Sequence, residues 1–488
     1  MNIVERVTSV VKKQMHGDAL RAKAARGGMS LGTGTAAEQV CRFARNMLLA
    51  RLLMPSAFGT MAIVMSSSSI ITAISDVGLG PAVIQHPRGT EDSFLDAAWW
   101  LGLIRAVFIY AFVFATAPWV ARFYVNPQLN GLLRVTLLAT ILDAMLSPRS
   151  KRIQKEMKFG RYAMIINGGS ILGVITTVVL AFVLRSVWAL AFGYCAENIF
   201  RCLFSYILCP GLPSLKIDRT AYRELIHFSK GMFGLSFLNL VFSRADIFVL
   251  GKLVTANTLG LYTLAVYLVQ TPATFLINMM GSLLLPAFSH VRGDKERSNR
   301  MLSKVTSGAI LLGVPIVMMF WFCGSSVLTV VYGARYAVGG TTLAIAGIVA
   351  FLNILNNFIT SLFFAEGKPA LHRRAVAASA VVMVICIYPI CHFMGIVGGQ
   401  VSALIAIVVS YLLQVERARD VSGLRVTRYA RALLPAICVS GVVALAGVGT
   451  RVSGLVRIPV ADIAICCAGC ALAYLLYVPM LSRMRELV

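Results

Sequence analysis

The chain has 488 residues, is 58% hydrophobic with a mean hydropathy of +0.79, and only 13% of it is charged, with 45 Lys+Arg against 20 Asp+Glu for a net +25. Soluble domains carry about a quarter charged residues, so a water-soluble globular chain is excluded and the position of the positive charge becomes the question. Gathered on a soluble face it would point to nucleic acid; alternating between long apolar runs it sets membrane topology.

A spanning helix needs about 20 mostly apolar residues. Fourteen such runs follow one another near 28–50, 58–80, 97–121, 129–147, 162–184, 187–209, 231–250, 261–287, 305–329, 338–364, 375–392, 395–415, 432–449 and 460–481. With the N-terminus inside, 32 of the 45 Lys/Arg fall on the cytoplasmic side, seven on the opposite side and six within spans. Both termini are therefore expected in the cytoplasm. The fold class expected is an all-α integral membrane protein with about 14 transmembrane helices. No cleavable signal peptide is expected in residues 1–27, which are basic and lack a sufficient apolar core. Ile3, Val4, Val7, Val10 and Val11 recur at helical spacing there, which fits either a short amphipathic helix on an anionic leaflet or a frayed tail.

The loops are too short for a soluble domain, so function must reside in the bundle. Cys467 and Cys470 form a CxxC inside an apolar run with no histidine nearby, which reads as helix packing rather than a metal or redox site. Walker, GxGxxG and GxSxG motifs are missing, so no catalytic residue, metal or organic cofactor is assigned. Gly169/Gly173 and Gly395/Gly399 have GxxxG spacing, for which close helix packing is a sufficient account.

Residues 41–63 laid over 242–264 reveal an internal repeat. Ala50-Arg51-Leu52-Leu53, then Gly59, matches Gly251-Lys252-Leu253-Val254, then Gly260, at a constant offset of 201. Two like halves of six spans are the arrangement of many secondary transporters. The expected organisation is an N-terminal segment 1–27, an N-lobe 28–215 (spans 1–6), a C-lobe 216–428 (spans 7–12), and two C-terminal helices in 429–488.

Polar residues inside these spans are costly unless they face one another or water. Glu38, Arg42 and Arg45 share one face of the first span, and their repeat mates are Asn239, Ser243 and Asp246. Further stripes comprise Ser68, Thr72 and Asp76; Tyr267, Gln270, Thr271, Thr274 and Asn278; and Asn353, Asn356, Asn357 and Thr360. Glu38/Arg42 and Glu197/Arg201 can pair at i, i+4, and Arg105 and Arg134 can snorkel from span ends. An internal aqueous cavity explains the remainder. Its candidate substrate-binding residues are Arg42, Arg45, Arg244, Asn239, Ser243, Gln270, Asn353 and Asn357. Glu38, Asp76 and Asp246 are candidates for charge balance or for H+ or Na+ coupling. Guanidinium groups match phosphate oxygens and stay charged at any working pH.

Several runs carry a family resemblance: LLARLLMPSAFGTMAIV, SDVGLGPAVIQ, SPRSKRIQKEMKFGRYA, LPSLKIDRTAYRELIHFSKG and SRADIFVLGKLVTANTLGLYTLAVYLVQTP. In this order and spacing they resemble oligosaccharide flippases of the polysaccharide transporter (Wzx-type) family, in the multidrug/oligosaccharidyl-lipid/polysaccharide (MOP) superfamily. The loop after the fourth span resembles the subgroup of colanic-acid, succinoglycan and teichuronic-acid exporters. The resemblance implies two six-helix lobes with two extra helices and a central cavity. It implies a non-enzymatic flippase that moves polyprenyl-pyrophosphate-linked sugar repeat units by alternating access, for exopolysaccharide, capsule or O-antigen export. Implied partners are the undecaprenyl-pyrophosphate-type lipid-linked oligosaccharide, membrane lipids, and polymerase and export proteins of the same pathway. The alternatives are a lipid II flippase, a cation/drug antiporter of the same superfamily, and, from a different class, an intramembrane polymerase or ligase, which the short outer loops disfavour.

Overall fold

The computed structural model of the protein describes residues 34–74, 79–156, 158–214, 218–230, 235–423 and 459–468. Among these the regular structure is helical, without strands. Helix α1 covers 34–52 and is followed by α2 (Pro55–Ile74), α3 (Leu79–Gln85), α4 (Asp92–Phe123), α5 (Gln128–Ala144), α6 (Arg149–Lys155), α7 (Phe159–Ala163), α8 (Gly169–Leu184), α9 (Trp188–Leu208) and α10 (Arg219–Lys230). Then come α11 (Leu235–Leu253), α12 (Ala256–His290), α13 (Lys295–Tyr332), α14 (Gly340–Ala365), α15 (Pro369–Met394), α16 (Ile396–Ser422) and a short apolar α17 (Pro459–Ala468).

Twelve of the fourteen expected spans overlap α1, α2, α4, α5, α8, α9 and α11–α16, and the fourteenth begins as α17. The thirteenth, 432–449, lies outside the described residues, as do the N-terminal segment 1–27 and Asp76. Among the described residues eight helices are long and apolar enough to cross a bilayer, and a ninth candidate is α5 with α6, bent by 64°.

Hydropathy understates helix length. The stretch of α13 from Lys295 to Phe322, before its kink at Cys323, alone reaches about 42 Å at 1.5 Å per residue, well beyond the about 30 Å of a hydrocarbon core. Residues 295–304, expected as loop, are its charged first turns, capped by Asp294, whose side chain accepts from the Arg297 N–H at 3.0 Å. Proline sets other starts, at Pro55 of α2 and Pro369 of α15, where a missing N–H costs nothing.

The chain divides by contacts into two compact units, residues 1–49 with 71–234, and residues 50–70 with 235–488. In the first unit, α10 lays Ala221 and Leu225 against Ala82, Val83, Phe94 and Leu95 of α3 and α4. In the second, α12, α13, α14 and α16 enclose Phe288, Leu302, Phe358, Leu362 and Ala418.

The repeat is visible in the helix boundaries. The α1–α2 break, 52 to Pro55, recurs 201 residues later as Leu253 to Ala256. Within the second unit the repeat mates touch each other. A Cβ on Gly59 would lie 2.0 Å from the carbonyl oxygen of Ala256, and a Cβ on Gly260 would lie 1.8 Å from that of Pro55. Since Ala256 is the mate of Pro55, the contact is reciprocal, as at a two-fold axis. The Gly395/Gly399 pair differs from expectation: Gly395 is the turn between α15 and α16, with φ +58°, and only Gly399 serves packing.

Replacing Gly59 by Ala is expected to destabilise the protein by about 1–3 kcal/mol, the range for overpacking. Thermal unfolding in detergent checks this, with Gly102→Ala as the neutral control, since nothing lies within 4 Å of a Cβ there.

Candidate functional site

Two polar sites lie inside the helical units. The first joins α1, α8 and α9. Gly169, Gly173 and Thr177 of α8 face Arg201, Glu197 and Gly193 of α9, an antiparallel register that advances four residues at a time. A Cβ on Gly169 would meet the Arg201 backbone nitrogen at 2.7 Å, and one on Gly173 the Glu197 Cα at 2.6 Å. The glycines thus let α8 lie directly on the turn that carries both charges. A π turn at Met164–Gly168 leads into α8 and carries Asn167 on its wall.

Arg42 of α1 enters the same space. Its Nε donates to Glu38 Oε1 at 2.8 Å and its Nη2 to Glu197 Oε1. Arg201 Nη2 donates to Glu197 Oε1 at 2.8 Å and to Ser170 Oγ at 2.6 Å, and lies 3.8 Å from Glu38 Oε1. Asn167, with its amide nitrogen turned to Glu38, donates to Oε2 at 2.7 Å and accepts from the Thr35 N–H at 3.3 Å. Two guanidinium groups and two carboxylates therefore form one neutral cluster, with Glu197 only 2% exposed. The two i, i+4 pairs read from the sequence are parts of this single network. Ser170 and Asn167 were missed. The usable signal was the shared four-residue spacing of Gly169/Gly173 and Glu197/Arg201. Arg201 Nε remains buried without an acceptor, so the cluster retains donor capacity.

The second site lies in the other unit. Asp246 of α11 is buried, accepts from the Tyr262 hydroxyl of α12, and accepts at Oδ1 from the Ile247 N–H at 2.8 Å. Gln400 of α16 donates to the Tyr262 hydroxyl at 2.7 Å. Gly399 makes room for this, since a Cβ there would lie 2.9 Å from that hydroxyl.

The other expected residues take different positions. Arg45 is half-buried and its Nε donates to Asn46 Oδ1 at 3.2 Å. Ser243, Arg244 and Gln270 are exposed, and Asn353 and Asn357 are half-buried. Asn239 lies in α11, but its side chain is outside the described residues. The Asn/Thr stripe of α14 divides: Asn356 and Thr360 turn inward to Ser410, Gln414 and His372 and pack the unit. Arg105 Nη2 donates to the Thr72 carbonyl at 3.0 Å, and Arg134 lies 4.0 Å over the Phe114 ring. Among the described residues no group of three or more His, Cys, Asp or Glu is placed to hold a metal ion.

Outside the spans, the loop before α4 is fastened to α10. Arg88 donates to Glu91 at 2.8 Å, and to Asp218 and Glu224 at 3.1 Å each. Asp218 caps α10: its Oδ1 accepts from the Thr220 hydroxyl at 2.5 Å and from the N–H groups of Thr220 and Ala221. The Thr220 hydroxyl first, then the Ala221 N–H and Arg88, hold the Asp218 carboxyl well below the usual carboxylate range.

A model of the family described as "Polysaccharide biosynthesis protein" matches residues 48–339. The Bacillus subtilis (strain 168) teichuronic acid biosynthesis protein TuaB is 21% identical over 299 residues, 60% of this chain and 61% of that protein. The Escherichia coli (strain K12) lipopolysaccharide biosynthesis protein WzxC is 21% identical over 379 residues, 75% of this chain and 73% of that one. Among solved structures, the lipid II flippase MurJ in an inward closed conformation matches with a TM-score of 0.77 at 12% identity, covering 94% of this chain and 99% of that chain. At that identity the likeness establishes the fold.

Two expectations follow. Glu197→Ala leaves Arg42 and Arg201 without their shared carboxylate and is expected to cost about 3–5 kcal/mol. Asp92, exposed and paired with Arg152 at 2.5 Å, should cost under about 1 kcal/mol when replaced by Ala, both read as unfolding midpoints. A depressed carboxyl pKa stabilises above the unfolded value, and that stabilisation is lost as pH falls through the folded value. Acidification should therefore release α10, seen as faster amide exchange over 219–226, and Asp218→Asn should abolish that pH dependence.

Proposed function

The chain belongs to the polysaccharide biosynthesis protein family, and from that premise we propose that it is a lipid-linked oligosaccharide flippase. It carries polyprenyl-pyrophosphate-linked sugar repeat units across the bilayer for export of a surface polysaccharide. It is a multi-pass membrane transporter and not an enzyme. The observation that carries the reading is the placement of guanidinium groups in α1 and α11, and of amide groups in the long apolar helices α12 and α14, of a chain from this family. Such groups are expensive in lipid and belong where a polar passenger or water meets them.

In this reading Arg45, and separately Arg244, each offers a guanidinium to the pyrophosphate or an anionic sugar, since guanidinium groups pair bidentately with phosphate oxygens. Gln270, Asn353, Asn357, Ser243 and Asn239 offer hydrogen bonds to sugar hydroxyls. Arg42, tied to Glu38 and Glu197, holds the cluster and reaches substrate only by exchanging a carboxylate partner. Asp246 and Asp76 are the candidates for H+ or Na+ coupling, and Asp246 is the better supported because it is buried with its hydroxyl partner. The transport cycle is alternating access. The membrane is the bacterial inner membrane with both termini cytoplasmic, supported by the Lys/Arg asymmetry. The polymerase and export proteins of the same pathway are the proposed partners.

A lipid II substrate is the second reading, favoured by the fold likeness to MurJ. Conditional depletion separates the two: lysis with loss of cell-wall synthesis supports lipid II, and loss of surface polymer from viable cells supports the first.

Arg45→Ala and Arg244→Ala, each at normal membrane levels, are expected to lower polymer export about tenfold or more. That is the loss of one charge-assisted hydrogen bond of about 1.5–3 kcal/mol. Unimpaired export from both variants removes the phosphate-binding role.

A further inference from the structure

Near the end of α13, Cys323 departs from helical geometry, with φ −112° and ψ 16°. Its Sγ lies 2.8 Å from Sγ of Cys466 in α17, and the two residues are 1% and 0% exposed. The helices meet along a registered seam. Ser326 Oγ donates to Asp462 Oδ2 at 2.7 Å, Cys323 Sγ reaches the Asp462 carbonyl at 3.6 Å, and Met319 Sδ lies 4.0 Å from Cys467 Sγ. Positions 319, 323 and 326 of α13, and 462 and 466 of α17, are single-turn steps along one face of each helix. The α13 side has no room to retreat, because a Cβ on Gly324 would already lie 2.7 Å from the Gly340 carbonyl oxygen.

Non-bonded carbon atoms settle about 3.5–4.0 Å apart, and sulfur is larger. A separation of 2.8 Å between two thiols is too close for packing, and the state that accepts a closer approach is a covalent bond of about 2.05 Å. We propose that Cys323 and Cys466 are a disulfide-forming pair that staples α17 to α13. The Cys323 thiolate attacks one sulfur of a disulfide-bearing oxidant and releases the first thiol. The Cys466 thiolate then displaces the second, so two electrons and two protons pass to the oxidant, which leaves as two thiols. Because both sulfurs are buried, this exchange belongs to assembly, before the helices dock. The finished bond is shielded from reductant until the chain is denatured. The inference is independent of what the protein transports.

The experiment uses the full chain in its own membranes. Thiols are blocked with N-ethylmaleimide in denaturant, the protein is reduced, and newly released thiols are tagged with a mass-shifted maleimide and mapped by peptide mass spectrometry. Two of the eleven cysteines are expected to carry the second tag, at Cys323 and Cys466. Cys323→Ser and Cys466→Ser should each lose both tags. Absence of the second tag, or its appearance on a different pair, overturns the proposal. Neither outcome depends on a variant, since the wild-type chain is mapped directly.

Discussion

A charge placed mid-bilayer on a helix costs about 3 kcal/mol even on the lenient insertion scale, so the four charges that α1 and α9 bring together must be settled before these helices can associate with α8. In the first unit they are settled together: Arg42 and Arg201 divide Glu38 and Glu197 between them, with Ser170 and Asn167 occupying positions left around the carboxylates. The arrangement demands a specific register. It requires α8 to approach α9 to backbone distance at Gly169 and Gly173, because any side chain there would drive the guanidinium and carboxylate apart. Packing and electrostatics are therefore one constraint in this unit. It fixes the start of α1, whose residues from 50 onward belong to the other unit.

The polar groups of the second unit are of two kinds. Asn356, Thr360, Gln414 and His372, and separately Asp246, Tyr262 and Gln400, satisfy one another inside the helical packing. Ser243 and Arg244 of α11 are exposed, as is Gln270 on α12, a helix long and apolar enough to cross a bilayer. Exposed polar groups on membrane helices are tolerated where water or a polar passenger meets them, and the buried sets supply rigidity beneath.

Helix positions and the repeat were legible because both depend on local pattern: apolar runs of sufficient length, and a basic residue, turn and glycine recurring at one offset. Helix ends were not, since hydropathy falls where charges begin while backbone hydrogen bonding continues, as at Lys295–Lys304 of α13. The charged cluster was half legible. Spacing within one helix shows that Glu197 and Arg201 share a face, but their union with Glu38 and Arg42 depends on the rotation of three helices. Gly395 shows the converse failure, for a spacing that fits helix packing also fits a turn glycine.

The two halves of the repeat agree where backbone meets backbone and diverge where side chains meet. Gly59 and Gly260 approach each other's chains so closely that neither position has space for a Cβ, and both copies are held to glycine. The mated faces of α1 and α11 obey no such limit: Glu38, Arg42 and Arg45 stand opposite Asn239, Ser243 and Asp246 in the alignment, a net +1 against a net −1. A symmetric fold thereby carries an asymmetric charge pattern. The glycine contact constrains backbone alone, so the residues flanking it can differ in charge between the two copies without disturbing it.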